Sequence, residues 1–162
     1  MSVKINVFFI CSVISILSLS ACNSRDSGYQ AQGEEIFPPT VIDNAALYRM
    51  DNLPVSPAFF RGQWSWVSFG PAHCVDDCQR LLNRLNSLQQ GQALFVVTDL
   101  TDHAGLRALA TAYSKVAVGM GVTAVSFDEF AAQFATESET LNDNLFLVDP
   151  DGRVVYRVSS SM

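Results

Sequence analysis

Lysine is nearly absent from this chain: Lys4 and Lys115 are the only two in 162 residues, and the eight arginines that complete the basic set are scattered. Against 16 acidic residues they leave a formal charge of −6 and a pI of about 4.7. Without a basic patch the chain cannot neutralise a row of phosphates, which argues against nucleic-acid binding. Charge of either sign is sparse at 16% of residues, whereas 49% are hydrophobic. That balance excludes a disordered chain, because a core can form that is large enough to offset the ordering entropy. Histidine is limited to His73 and His103 and cysteine to four positions, so a closed four-ligand zinc site would need nearly everything the chain has. The length fits one domain with appendages.

The N-terminus is read first as a targeting segment. Met1 to Lys4 is a short basic start, and the uncharged apolar run Val7 to Leu19 is 13 residues long, short of the roughly 20 that a spanning helix needs. It reads as the core of a signal peptide over residues 1–21. The next residues, Leu19-Ser20-Ala21-Cys22, resemble the lipobox of bacterial lipoproteins. That resemblance implies cleavage before Cys22, lipid on its sulfur, and an extracytoplasmic protein held on a membrane, facing the periplasm or the cell exterior. Several acyl chains anchor stably where one binds marginally. An ordinary secretory signal is the alternative. Residues 22–44 are polar and turn-prone and are expected to be a flexible lipidated tether, leaving 45–162 as the folded domain.

Removal of Cys11 with the signal and use of Cys22 as the anchor leave two thiols, Cys74 and Cys78. In an oxidising compartment such a close pair is a disulfide, a redox couple or a metal clip.

Beyond residue 45 the pattern alternates between strand and helix signals. Ala45 to Phe60, with Pro54 and Pro57, suggests loops and a short edge strand. Trp64 to Phe69 alternates with period two and ends at Gly70-Pro71, which predicts a strand entering a loop. Cys78, Leu81, Leu82, Leu85 and Leu88 mark one face of a helix over Asp77 to Gln90, with Gly91 as its stop. Leu94 to Thr98 reads as a buried central strand. A second amphipathic helix is expected through Leu106, Leu109, Tyr113 and Val116, and a third from about Asp128. Leu145 to Val148, the turn Asp149-Pro150-Asp151-Gly152, and Val154 to Val158 predict a hairpin. The sum is an α/β fold with a mixed central sheet flanked by helices and a C-terminal β-hairpin, for which the thioredoxin-like arrangement is the economical choice.

Cys74 is thereby placed in the loop leaving a strand and Cys78 in the first turn of the next helix. Unpaired amides and the helix dipole favour a thiolate there, while Asp76 and Asp77 oppose it. Residues four apart on a regular helix hold their Cβ atoms about 5–6 Å apart, wider than the roughly 3.5–4.5 Å a disulfide requires. Cys74 must therefore precede the helix proper, or the loop must shift when the bond forms. Cu(I), a soft ion that prefers thiolates, tolerates the wider spacing.

Gly62-Gln63-Trp64, Val67-Ser68-Phe69-Gly70, His73-Cys74-Val75-Asp76-Asp77-Cys78, Asp99, and Leu147-Val148-Asp149-Pro150-Asp151-Gly152 together resemble the Sco/SenC family over roughly residues 45–158. The resemblance implies a membrane-tethered thioredoxin-fold protein concerned with copper delivery to cytochrome oxidase and with thiol-disulfide exchange. It also implies that Cys74 and Cys78 are the copper-binding and redox cysteines. Val75 and Gln79 stand where the family usually has prolines. The segment Thr140 to Asn144, where the family's third copper ligand would lie, holds no histidine. The family's closing helix is not expected after the hairpin. His103 is the replacement ligand considered, with His73 behind it; Asp99 and Asp102 are expected as helix caps, and Trp64 and Trp66 as packing residues with a partner contact as the alternative. Three functions remain: copper handling with an oxidase subunit as recipient, thiol-disulfide oxidoreductase activity on a partner disulfide, and a degenerate lipoprotein in which the pair is a structural bridge.

Overall fold

In the computed structural model, residues 33–50, 53–134 and 141–159 are described. The signal peptide with Cys11 and the first eleven residues of the expected tether, Cys22 among them, lie outside them. Eight strands form one mixed sheet: β1 (Glu34–Val41), β2 (Leu47–Arg49), β3 (Pro54–Val55), β4 (Ser65–Gly70), β5 (Gln92–Val97), β6 (Val116–Gly121), β7 (Asn144–Val148) and β8 (Arg153–Ser159). Their spatial order is β1-β8-β7-β4-β5-β6-β2-β3. The central β4, β5 and β6 run parallel, and the flanking strands are antiparallel to their neighbours. Helices α1 (Asp77–Asn86), α2 (His103–Ala112) and α3 (Ala124–Ala131) join the parallel strands and lead out of the last one. This is the expected thioredoxin-like fold with its terminal hairpin.

The central strands are apolar throughout because both sheet faces are covered. Along β5, Ala93, Phe95 and Val97 pack with Leu82 and Leu85 of α1 and Leu106 and Leu109 of α2. The alternate residues Leu94 and Val96 pack on the other face with Phe130 and Phe134 at α3, and with Phe60, Phe69 and Phe146. Phe69 lies within 5.3–6.4 Å, ring centre to ring centre, of Phe127, Phe130, Phe134 and Phe146. Among the described residues no helix is long and apolar enough to cross a membrane.

Three expectations are corrected. Residues 34–41, assigned to the tether, form strand β1 on β8, with Glu34 opposite Arg157 and ion-paired to it at 2.6 Å. An edge strand can carry Pro38 and Pro39 because its outer side needs no donors, so the prolines hid it. Val116 opens strand β6 and is not the end of the second helix, which stops at Ala112. The third helix starts at Ala124, not near Asp128. It begins at a capping box in which Thr123 and Ser126 bond each other's backbone amides at 3.1 and 2.9 Å. The box uses serine where glutamate or glutamine is usual.

The hairpin turn is built on Asp149, which is 6% exposed. Its carboxylate accepts from the backbone amides of Asp151 (3.0 Å) and Arg153 (2.9 Å) and from the Arg153 guanidinium (2.8 Å). Burial pushes the Asp149 pKa up, but these donors outweigh it and hold the carboxyl below the usual carboxylate range.

Candidate functional site

Strand β4 ends at Gly70 beside its parallel partner β5, and the chain passes through Pro71 to Asp76 before α1 begins. Gly70 is required by crowding: a Cβ there would lie 2.8 Å from the Phe95 ring and 3.7 Å from the Cys78 sulfur. The bare backbone lets the first turn of α1 settle on the strand end. Cys74, buried at 7% exposure, lies in the loop; Cys78, half-buried, is the second residue of α1. The two are joined as a disulfide with Cα atoms 5.4 Å apart. The spacing conflict is thus resolved as one of its alternatives required, with Cys74 ahead of the helix.

Between the cysteines the backbone turns sharply. The Cys78 amide donates to the Val75 carbonyl at 3.2 Å, and Asp76 has φ +47° and ψ −109°. These angles approximate the first central position of a type II′ turn, about +60° and −120°. The Gln79 side-chain amide donates to the Cys74 carbonyl at 3.0 Å, fastening the loop to the helix. Gln79 thus has a local role where the resemblance would put proline. Asp77 pairs with Arg80 one turn on. The helix has no side-chain N-cap, so its N-terminal end stays polar and open beside the sulfurs.

Cys78, Val75, Phe69, Phe95, Leu81 and Asn142 border a cleft of about 280 Å³. Val75 is 65% exposed at its rim. The bonded pair therefore has a solvent-facing side, as an attacking thiolate or an incoming ion requires.

The histidines are not gathered there. Among the described residues no three His, Cys, Asp or Glu side chains converge on a metal position. His103 is the first residue of α2, and its Nδ1 lies 3.2 Å from the Tyr48 hydroxyl, with the rings stacked at 6.5 Å. The same hydroxyl lies 3.0 Å from the Met120 sulfur, so Tyr48 sits between the His103 ring and β6. The structure thus places the His103 ring against Tyr48 of β2 and not in a cluster with the two cysteines. His73, an exposed neighbour of Cys74, places Nε2 3.1 Å from Asp102 Oδ2. Asp102 caps α2 as expected, accepting from the Gly105 amide at 2.8 Å. Asp99 does not cap the helix. It accepts from the amide (2.9 Å) and hydroxyl (2.8 Å) of Thr101, and chiefly the amide holds its carboxyl below the ordinary range. Trp66 packs half-buried on the α1 side, while Trp64 is 49% exposed.

Gly70, the Asp76 turn, the Gln79 tie and Asn142 were not singled out from the sequence as parts of a site. Gly70-Pro71 signalled only a strand end, and the other three contribute through loop geometry that no periodicity reports.

No family model matches the sequence, and no curated protein matches it. Solved structures do match. Yeast Sco1 with copper bound superposes with a TM-score of 0.63 at 20% identity, over 75% of this chain and 83% of that one. BsSco, a Sco-family cytochrome c oxidase assembly protein described with a disulfide switch, gives 0.60 at 16%, over 78% and 88%. A SCO1/SenC family lipoprotein from Bacillus anthracis gives 0.60 at 15%, over 77% and 89%. The thioredoxin-like fold of this chain is therefore the one these Sco proteins share.

Proposed function

We propose that this chain is a divergent Sco/SenC member: an extracytoplasmic copper-handling protein, tethered through lipid on Cys22, that takes Cu(I) between Cys74 and Cys78 and passes it to an oxidase subunit. The observation that carries the reading is the sulfur pair itself, at the strand-to-helix junction of a Sco fold with Cys78 bordering a cleft. Solved proteins of this fold include copper-bound examples and one described as a lipoprotein.

The chemistry requires the pair to be opened first. A thiol reductant attacks one sulfur; the other leaves as a thiolate and takes up a proton, and a second thiol resolves the mixed disulfide. Two reductant thiols become one disulfide and the protein gains two thiols. Cu(I) then displaces the two thiol protons. The donor set fits this cargo, because two thiolates suit a soft monovalent ion, and no third ligand adjoins them among the described residues. A site of two sulfurs releases copper readily by ligand exchange with a recipient that offers more.

The engagement of His103 by Tyr48 favours a second reading, in which the pair exchanges disulfides with a partner and carries no metal. Titration of the reduced protein with Cu(I) against a competing chelator separates the two. One ion per chain is expected, lost in Cys74→Ser and Cys78→Ser and unchanged in His103→Ala. No binding by a pair that thiols reduce reversibly supports the oxidoreductase. No binding by a pair that resists reduction leaves only a structural bridge.

A further inference from the structure

We propose that Asp76 is a positioning residue that holds the oxidised loop in a strained conformation and so makes the Cys74–Cys78 bond easier to open. The proposal rests on the reading that this pair cycles between disulfide and dithiol.

Among the described residues Asp76 is the one non-glycine residue with positive φ. Its angles of +47° and −109° lie in the region of a type II′ turn that glycine occupies freely and a residue with a Cβ does not. Asparagine and aspartate tolerate the left-handed helical region at positive ψ, but the negative ψ here is outside it. Nothing from its own side chain compensates: Asp76 is exposed and makes no capping hydrogen bond.

The position within the loop gives the strain a chemical consequence. Asp76 is the middle residue of the five that the disulfide closes into a ring, and the Cys78 amide to Val75 carbonyl bond crosses it. While the sulfurs are joined, the ends of this short segment are fixed and the turn must stay tight. Once they part, the ends of the segment are no longer fixed, and φ and ψ of Asp76 can relax together into an ordinary region, at the loss of the Cys78 amide to Val75 carbonyl bond. The strain thus belongs to the disulfide form and is released on reduction, so the equilibrium with a thiol buffer is displaced toward the dithiol.

Two substitutions separate backbone from charge. Asp76→Gly removes both the strained Cβ and the carboxylate; Asp76→Ala removes the carboxylate and keeps the Cβ. Each protein is equilibrated with reduced and oxidised glutathione, and the fraction of Cys74–Cys78 disulfide is read by alkylation and mass. In this exchange two glutathione thiols are oxidised to one disulfide as the protein disulfide is reduced to two thiols. Asp76→Gly is expected to shift the constant about tenfold toward the protein disulfide, or roughly 30 mV more negative, even after the entropy that glycine adds to the open loop. Asp76→Ala is expected to show no such shift. The gap in thermal midpoint between oxidised and reduced forms should widen in Asp76→Gly alone. Equal shifts in the two variants, or none in Asp76→Gly, overturn the proposal. A native pair that glutathione neither reduces nor re-forms overturns the cycling reading and the proposal with it.

Discussion

Ser68 lies fully buried in β4, and its hydroxyl has no hydrogen-bond partner. A buried donor left unsatisfied costs about 1–3 kcal/mol. Ser68→Ala is therefore expected to raise stability by about 1 kcal/mol in urea melts once the small loss of packing is counted; a loss of stability would show that the hydroxyl is satisfied. Asp149 is the opposite case, a buried carboxylate with three donors. Asp149→Ala should cost about 2 kcal/mol at pH 7, since the hairpin amides and the Arg153 guanidinium lose their acceptor. Because the folded carboxyl titrates below its ordinary value, its contribution is complete above about pH 4 and is lost as pH falls through the lower folded value. The difference between the native protein and Asp149→Ala should thus narrow in melts below pH 4, and a constant difference would contradict the assignment. At this scale the sequence was informative where chemistry was scarce. With Cys11 and Cys22 set aside, Cys74 and Cys78 were all that remained. For His103, its strand-to-helix position gave the edge of the sheet but not the contact with Tyr48, which is far away in sequence.

The helices differ in how they begin, and this decides what each can do. Helix α2 is closed by the Asp102 side chain on the Gly105 amide, whereas α1 starts at the Asp76 turn with no side-chain cap. Replacing an N-cap aspartate by alanine typically costs about 1 kcal/mol, so Asp102→Ala should lower stability by that amount. It should also speed amide exchange first in the initial turn of α2; unchanged exchange there would refute the capping role. The open start of α1 leaves its polar end facing the cysteines. The legible elements were those whose period was uninterrupted: β4, β5, α1 and the β7–β8 hairpin. Strand β6 was missed because its first residue, Val116, continues the spacing of Leu106, Leu109 and Tyr113, and because Gly119 and Gly121 dilute its strand signal. Gly121 is needed there, since a Cβ would lie 2.7 Å from that of Phe127 on α3. A packing demand of the tertiary structure had erased the local pattern.

For the whole molecule, the two cores either side of one sheet fix where chemistry can occur. Parallel β4 and β5 end together, and the chain leaves β4 at Gly70 to bring a buried and a half-buried sulfur against each other above the sheet edge. The class of fold followed from the order of strand and helix signals, and the solved Sco structures share it. Strand β1 was hidden because its pairing with β8 joins residues more than a hundred positions apart and its sequence carries two prolines. The proposed function depends on two sulfurs sufficing for Cu(I) with His103 left on Tyr48. The most direct measurement is copper-edge X-ray absorption on the reduced protein loaded with one equivalent of Cu(I). A shell of two sulfur scatterers and no histidine nitrogen is expected, with a spectrum unchanged in His103→Ala; an imidazole shell that disappears in His103→Ala would rule out the two-sulfur site.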